Sequence, residues 1–145
     1  MPGAGEEKEG LSEPIVPITA LSFKTATKII SVEIADILYA EADGKYSLLH
    51  TKSNVEPLEV FHLLGEIAER LQKEGFVRCS RFHLVNLAYC KSWRHTAKTA
   101  LVFLEWDTIT QEITTQEITV SGTYKAEFIR CWEEKYGKLI APRAE

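Results

Sequence analysis

Short apolar runs separated by turn residues fill the first third of the chain. The segment Ile18–Ile30 is enriched in Thr and Ile and predicts one or two short strands, and residues 31–37 predict a single helical turn. Two further strands are predicted over Ile37–Ala42 and Lys45–Thr51. The dipeptide Asp43-Gly44 between them is a strong hairpin signal, because both residues tolerate the backbone of a tight turn.

The clearest helical periodicity covers residues 58–73, where apolar positions recur at spacings of three and four. These positions are Val60, Phe61, Leu64, Ile67, Ala68 and Leu71. The pattern therefore predicts a central amphipathic helix with His62 on its surface and Gly75 as the residue that ends it.

The chain then returns to short extended segments. Phe76–Cys79 predicts a short strand, Leu84–Leu87 an apolar turn, and Ala88–Trp93 and Ala100–Trp106 two strands joined by a polar loop. The pentapeptide TQEIT occurs twice in residues 110–119, which predicts an extended hairpin or strand with both of its isoleucines, Ile113 and Ile118, directed inward.

A terminal helix is predicted over Thr123–Tyr136, with Ser121 or Thr123 as its cap and Gly137 as its end. One face of it is apolar, formed by Tyr124, Phe128, Cys131 and Trp132. Several short strands with one central and one terminal helix predict a mainly β, or α+β, domain.

The composition fits one globular domain. The chain has 145 residues, of which 45% are hydrophobic. Residues 1–14 predict a disordered acidic leader or linker, residues 15–136 the domain, and residues 137–145 a tail. There is no apolar run of membrane-spanning length and no secretion signal, so we expect a cytoplasmic protein whose three cysteines are reduced.

The net charge of −4 conceals a segregation of sign along the chain. Residues 70–98 contain seven basic side chains against Glu74 alone, a net of +6, whereas residues 105–117 are purely acidic at −4. A phosphate backbone responds to such a local basic segment rather than to the average charge.

Sequence signatures of catalysis are not found. The chain has no phosphate-binding glycine loop, no hydrolase nucleophile motif and no HExxH, and its four histidines fall in separate predicted elements. We therefore expect neither an enzyme nor a metal or other cofactor.

Residues 76–87 read FVRCSRFHLVNL and resemble the signature of the LytTR family, the DNA-binding domain of many bacterial response regulators. The matching positions are Phe76, Arg78, Arg81, Val85 and Asn86. The segment Val32–Tyr46 is similar to the family's strand–turn–strand, and Val120-Ser121, Tyr124 and Lys125 are similar to its final motif. The three motifs occur in the family's order across residues 18–134.

The chain departs from the family pattern at four positions. Ser80 replaces a usual His, Phe82 and His83 replace Ser and an aromatic residue, and Gly122 replaces a common basic residue. The base preference of other members therefore cannot be transferred to this chain.

The resemblance implies a mostly β fold of about ten short strands in small sheets, in which loops rather than a helix enter successive major grooves of double-stranded DNA. It also implies directly repeated sites and a second protomer on the DNA. The DNA-binding residues predicted on this basis are Lys45, Tyr46, Arg78, Ser80, Arg81, Lys91, Arg94, Ser121, Thr123 and Lys125.

Several readings of single residues stay open. Arg78 could form an ion pair with Glu41 or another acid, Asn86 could cap or brace a turn, and Tyr46 could belong to the core of an edge strand. Lys91 and Arg94, together with Lys98, could be solvated.

Two other functions also stay open. One is a protein-interaction module of the same fold that has lost strong DNA contacts and pairs with a partner through the acidic stretch 105–117. The other is binding of single-stranded nucleic acid or RNA by a β surface. The input signal is expected from a partner, from oligomerisation or from an upstream domain.

Overall fold

The computed structural model describes residues 18–108, 110–138 and 140, so the predicted leader 1–14 and most of the predicted tail lie outside the described residues. The described part contains ten strands and two α-helices, which confirms the mainly β prediction. The elements are β1 (Ala20–Lys24), β2 (Ile29–Glu33), β3 (Ile37–Asp43), β4 (Tyr46–Thr51), β5 (Leu58–Val60), α1 (Leu64–Leu71), β6 (Phe76–Arg78), β7 (His83–Asn86), β8 (Cys90–His95), β9 (Ala100–Asp107), β10 (Ile113–Val120) and α2 (Gly122–Tyr136). Single 3-10 turns cover Ile34–Asp36, Gln72–Glu74 and Leu87–Tyr89.

The strands form three antiparallel sheets. The largest has the order β5-β4-β3-β7-β6, the second has the order β10-β9-β8, and β1 and β2 form a separate hairpin. In the large sheet Asp43 pairs with Tyr46 and Glu41 pairs with His83. The β3–β4 turn and the start of β7 therefore lie at the same end of that sheet.

The five-stranded sheet separates two apolar cores. One lies under α1 and the β1–β2 hairpin and contains Phe23, Leu49 and Leu71. The other lies between the large sheet, the three-stranded sheet and α2, with Phe128 fully buried. Each large apolar side chain that is fully buried stabilises the fold by roughly 1.5–3 kcal/mol, so both faces of the sheet contribute to stability.

The central helix is shorter than predicted. Residues 58–60 form β5, in which Val60 pairs with Ser47, and α1 begins only at Leu64. The Glu66 carboxylate accepts the backbone N–H of Leu63 at 2.9 Å, which satisfies a donor at the start of the helix. Buried Val60 fits the helical periodicity and the strand equally well, so the pattern alone misplaced the boundary.

The shorter helix moves His62 off its surface. This side chain lies in the connection before α1, and its Nε2 accepts the backbone N–H of Lys24 at 3.0 Å. Farther along, Leu71 is buried as predicted, but α1 ends there. Gly75, with a φ of 90°, ends the 3-10 turn that follows α1 rather than the α-helix itself.

The predicted apolar turn at Leu84–Leu87 is wrong, because residues 83–86 form β7, which lies between β3 and β6. Leu84 and Val85 are both buried, and they face opposite cores. A strand covered on both faces shows a continuous apolar run rather than alternation, which is why it resembled a turn. The next strand begins at Cys90, two residues later than predicted.

The TQEIT repeat lies in one strand, β10, from Ile113 onward, and the prediction that both of its isoleucines point inward is only half correct. Ile118 is buried, but Ile113 is 72% exposed. Side chains alternate along a strand, so two residues five positions apart must point to opposite faces.

The predictions for the hairpin and the terminal helix are confirmed. Gly44 makes the turn between β3 and β4 with a φ of 65°, and Gly137 ends α2 with a φ of 93°. Phe128 is buried, with Tyr124, Cys131 and Trp132 packed against the same core.

Two of the three cysteines lie in the core, as predicted. Cys79 and Cys90 are buried free thiols, and Cys131 is half-buried. Burial raises the pKa of the Cys90 thiol to about 12, which makes it a poor nucleophile at neutral pH. No helix in the described part of the chain is long and apolar enough to cross a membrane.

Candidate nucleic-acid interface

Three loops meet at one end of the molecule, and we refer to them together as the loop surface: residues 43–46, residues 79–82, and residues 121–125, which include the first turn of α2. The backbone N–H of Ala42 donates to the carbonyl of Phe82 at 2.9 Å. On the other side, the N–H of Ser121 donates to the carbonyl of Cys79 at 2.8 Å. The middle loop is thus hydrogen-bonded both to the end of β3 and to the start of α2, and three distant sequence motifs become one surface.

Arg78 lies at the base of the middle loop and holds its backbone. Its Nε donates to the Ser80 carbonyl and a terminal nitrogen donates to the Arg81 carbonyl, both at 3.2 Å. Its guanidinium also lies 5.8 Å from the ring centroid of Tyr124. The alternative of an ion pair with Glu41 is not what the structure shows, because the Arg78 donors go to loop carbonyls.

The outer side of the middle loop carries Arg81 and Phe82. Ser80 Oγ accepts the N–H of Phe82 at 3.0 Å, which fixes the turn from within. Arg81 is exposed, and its guanidinium lies over the Phe82 ring at 5.3 Å from the centroid. Phe82 is 53% exposed. The loop therefore presents one cation and one apolar ring on a fixed backbone.

The first loop presents Lys45 and Tyr46, both exposed. The Tyr46 ring packs against Phe61 with centroids 4.5 Å apart. Because β4 pairs with strands on both sides, Tyr46 begins an interior strand and is not a core residue of an edge strand.

The third loop begins α2 against a neighbouring turn. Ser121 is the N-cap residue, as predicted, but its side chain makes no capping hydrogen bond. A Cβ on Gly122 would lie 2.9 Å from the backbone oxygen of Lys98, closer than real Cβ contacts. The absence of a side chain at Gly122 thus lets the β8–β9 loop approach the start of α2. Thr123 in this loop is exposed, and Lys125 is half-buried.

Two predicted residues lie on β8 rather than in the loops. Arg94 is exposed and pairs with Leu101, near the β8–β9 loop that contacts Gly122. Lys91 is also exposed but lies farther along the strand. The structure therefore brings Arg94 toward the loop surface and leaves Lys91 more distant.

Asn86 acts as a brace at the end of β7. Its amide nitrogen donates to the Ile37 carbonyl at 2.9 Å, and its Oδ1 accepts the N–H of Ala88 at 3.0 Å. The side chain is buried, so its match to the family signature reflects a structural role.

A cluster around Glu41 lies beside the middle loop. Glu41 Oε1 contacts His50 Nε2 at 3.0 Å, and Oε2 lies 3.8 Å from His83 Nε2. Burial lowers the pKa of His83, Glu41 opposes that change, and His50 adds to it. Burial, helped by Glu41, raises the pKa of Tyr39 to about 12, and its ring stacks on His50 with centroids 4.1 Å apart.

Sequence reasoning missed this cluster, although the pairing of Glu41 with His83 follows from the strand register. Among the described residues, no group of three or more His, Cys, Asp or Glu is arranged to hold a metal ion.

An open groove of about 550 Å³ separates the middle loop from β10. Arg81, Phe82 and His83 line one side, and Glu117 and Thr119 line the other. The loop surface is thus bordered by an open groove that Arg81 and Phe82 help to line.

Comparison with known proteins gives the family of this chain. The family model of the LytTr DNA-binding domain matches residues 27–133, which is most of the chain. The chain belongs to the LytTR family. This confirms the resemblance predicted from the FVRCSRFHLVNL segment and the two other motifs. In this LytTR domain, the same three motifs form the loop surface.

One relative is the CO-responsive transcriptional regulator RcoM of Rhodospirillum rubrum, 33% identical over 76 residues. The match covers 51% of this chain but only 30% of that protein. A solved structure with the same fold is the LytTr DNA-binding domain of a Bacillus cereus protein described as a methyl-accepting/DNA response regulator. It has a TM-score of 0.59 and 23% identity, and the match covers 79% of this chain and 97% of that one.

Proposed function

We propose that this LytTR domain binds double-stranded DNA sequence-specifically and regulates transcription, with its loops entering successive major grooves. The observation that supports this most is the middle loop: its backbone is held by Arg78 and by the two flanking loops, and it presents Arg81 to solvent. A fixed backbone lowers the entropy lost when a side chain is ordered against a base.

The chemistry of each loop suits a different part of DNA. An exposed arginine such as Arg81 can bind the O6 and N7 atoms of guanine with two hydrogen bonds. Lys45, Lys125 and Arg94 suit phosphates, and the first N–H groups of α2 favour an anion at the same place. We therefore assign base reading chiefly to the middle loop and phosphate contacts to the residues around it.

The position of the acidic residues supports the same assignment. Asp107 pairs with Ile113 at one end of the β9–β10 hairpin, whereas Ala100 pairs with Val120 at the other end, next to Ser121. Most of the negative charge of residues 105–117 therefore lies away from the loop surface. In the protein-interaction alternative, in which strong DNA contacts are lost, the same acidic end would bind a basic partner.

The deciding experiment is selection of bound duplexes from random DNA, followed by titration of the selected site against salt. If roughly five phosphates are neutralised, the slope of log K against log salt is about −4 to −5. A flat salt response, or no shift of any duplex at ~50 mM salt, would falsify DNA binding and favour the protein-interaction module. Stronger competition by single-stranded DNA than by duplex would favour the third function.

The same proposal places the protein in the bacterial cytoplasm, where the chromosome is accessible. RcoM is a CO-responsive regulator, but the match spans only 30% of that protein. We therefore propose that the input to this domain comes from a partner, from oligomerisation or from a further domain.

A further inference from the structure

The ring of Phe82 is an exposed apolar group at the most fixed part of the loop surface. It is 53% exposed, although Phe is among the residues most often buried. Its N–H is bonded to Ser80 Oγ and its carbonyl to the Ala42 N–H, so the backbone that bears it is held at both ends. Among the described residues, Phe82 belongs to neither apolar core, so an external ligand is a natural partner for its ring.

The position of Arg81 limits the kinds of ligand that Phe82 can contact. Its guanidinium lies 5.3 Å from the Phe82 ring centroid, so the two side chains are directed to the same side of the loop. Successive base pairs of a duplex lie about 3.4 Å apart along its axis. Two side chains whose centres are 5.3 Å apart can therefore contact neighbouring base pairs. Phe82 and Arg81 also line the same groove.

Stacking of the ring on an unpaired base fits the site less well. A stacking surface for single strands needs aromatic rings presented in succession. The other exposed aromatic residue of the loop surface, Tyr46, already packs against Phe61 at 4.5 Å. One face of the Phe82 ring is approached by Arg81, which leaves its edge and opposite face for a small apolar contact.

The major groove of DNA offers one such apolar group on its base edges, the C5-methyl group of thymine. We propose that Phe82 contacts the C5-methyl group of a thymine in a base pair next to the guanine bound by Arg81. The inference rests on the proposed function and extends it, because it names two adjacent base pairs that the middle loop reads. It also gives a role to a residue at which the chain departs from the family pattern.

The test removes one methyl group from the DNA. Each thymine of the selected duplex is replaced in turn by deoxyuridine, which retains every hydrogen-bonding atom and lacks only the C5-methyl. One of these replacements should lie next to the guanine whose preference is lost in Arg81→Ala. There the wild-type protein should bind about fourfold more weakly, which is the effect of one buried methyl-sized group. Phe82→Ala should bind more weakly than wild type and be indifferent to that replacement. Phe82→Leu should retain part of the sensitivity.

A matched control is Ile113→Ala, which removes an exposed apolar side chain at the far end of the three-stranded sheet. This variant should keep the wild-type response to deoxyuridine. Phe82→Ala should also keep the wild-type salt slope, because the ring carries no charge.

The outcomes separate the two proposals. Wild-type binding that ignores every deoxyuridine replacement, persistent sensitivity in Phe82→Ala, or a selected site with no thymine beside that guanine would overturn the contact and leave DNA binding intact. If the wild-type protein binds no duplex, the proposed function and this inference fall together.

Discussion

Two arginines three positions apart have different surroundings in this structure. The guanidinium of Arg78 is directed beneath the middle loop and donates to two of its carbonyls, whereas that of Arg81 is exposed over Phe82. Both match the family signature, and the signature alone assigned both to DNA. The sequence could not separate them, because the distinction depends on which side of a four-residue loop each side chain leaves.

Replacing the two arginines should therefore give different phenotypes. Arg81→Ala should cost about 1–3 kcal/mol on the preferred site, relax the preference at one base pair and leave the melting temperature unchanged. Arg78→Ala should lower the melting temperature and weaken binding to every sequence, because two loop carbonyls lose their partners. Thermal melting and binding to a panel of single-base variants measure both effects. If Arg78→Ala relaxed the preference at one base pair without a change in melting temperature, Arg78 would contact a base directly.

Gly122 illustrates a departure that the structure explains. A Cβ there would lie 2.9 Å from the Lys98 carbonyl, a backbone atom that cannot move without its loop. We expect Gly122→Ala to lower stability by about 1–3 kcal/mol and to weaken DNA binding.

The matched control is Gly65→Ala in α1, where a Cβ would meet only Arg78 at 3.9 Å, an ordinary contact. It should be neutral or stabilising by up to about 1 kcal/mol, because alanine favours the helix. Urea unfolding of both variants gives the comparison. Equal effects would show that the close approach at Gly122 is tolerated.

At the scale of elements, the sequence predicted those that depend on one strong local signal. The Asp43-Gly44 hairpin and the end of α2 at Gly137 both need a positive φ, which few residues supply. The start of α1 and the identity of β7 failed for a different reason. Val60, Leu84 and Val85 are buried by distant strands, so their local pattern does not distinguish helix, strand and turn.

The pairing of β3 with β4 and β7 also makes the stability of the fold depend on pH. Burial lowers the pKa of His83, with Glu41 and His50 facing it. A lowered folded-state pKa means that the unfolded chain binds the proton more readily. This contribution to stability is therefore complete above the unfolded value of about 6.5 and is lost as pH falls through the folded value.

The variant His83→Gln should show a smaller loss of melting temperature between pH 7.5 and pH 5 than the wild type. The comparison is the difference between the two proteins, since Glu41 and His50 remain in both. A larger loss in His83→Gln than in the wild type would mean that protonated His83 is held by Glu41 and stabilises the fold.

At the scale of the whole molecule, the apolar face of α2 packs within the domain itself. Phe128 and Trp132 pack into the core beside the three-stranded sheet, and the hydroxyl of Tyr136 donates to the Leu87 carbonyl at 2.6 Å. The sequence also contains no heptad repeat that could hold a coiled-coil dimer. We therefore expect the protein to be a monomer at micromolar concentration without DNA, as sedimentation would measure.

Two protomers should then meet on directly repeated half-sites. A weak contact between them becomes effective when one duplex holds both copies, because the shared template raises their local concentration. Half-sites about 10–10.5 base pairs apart place both copies on one face of the duplex. We expect cooperative binding to such a duplex, measured as a shift directly from free to doubly bound DNA. Inserting five base pairs rotates one copy to the opposite face and should abolish cooperativity. Cooperativity that survives the five-base-pair insertion would not depend on the helical phase of the two sites and would contradict this model. A tight dimer without DNA would also contradict it, because the protomers would then associate before they bind the duplex.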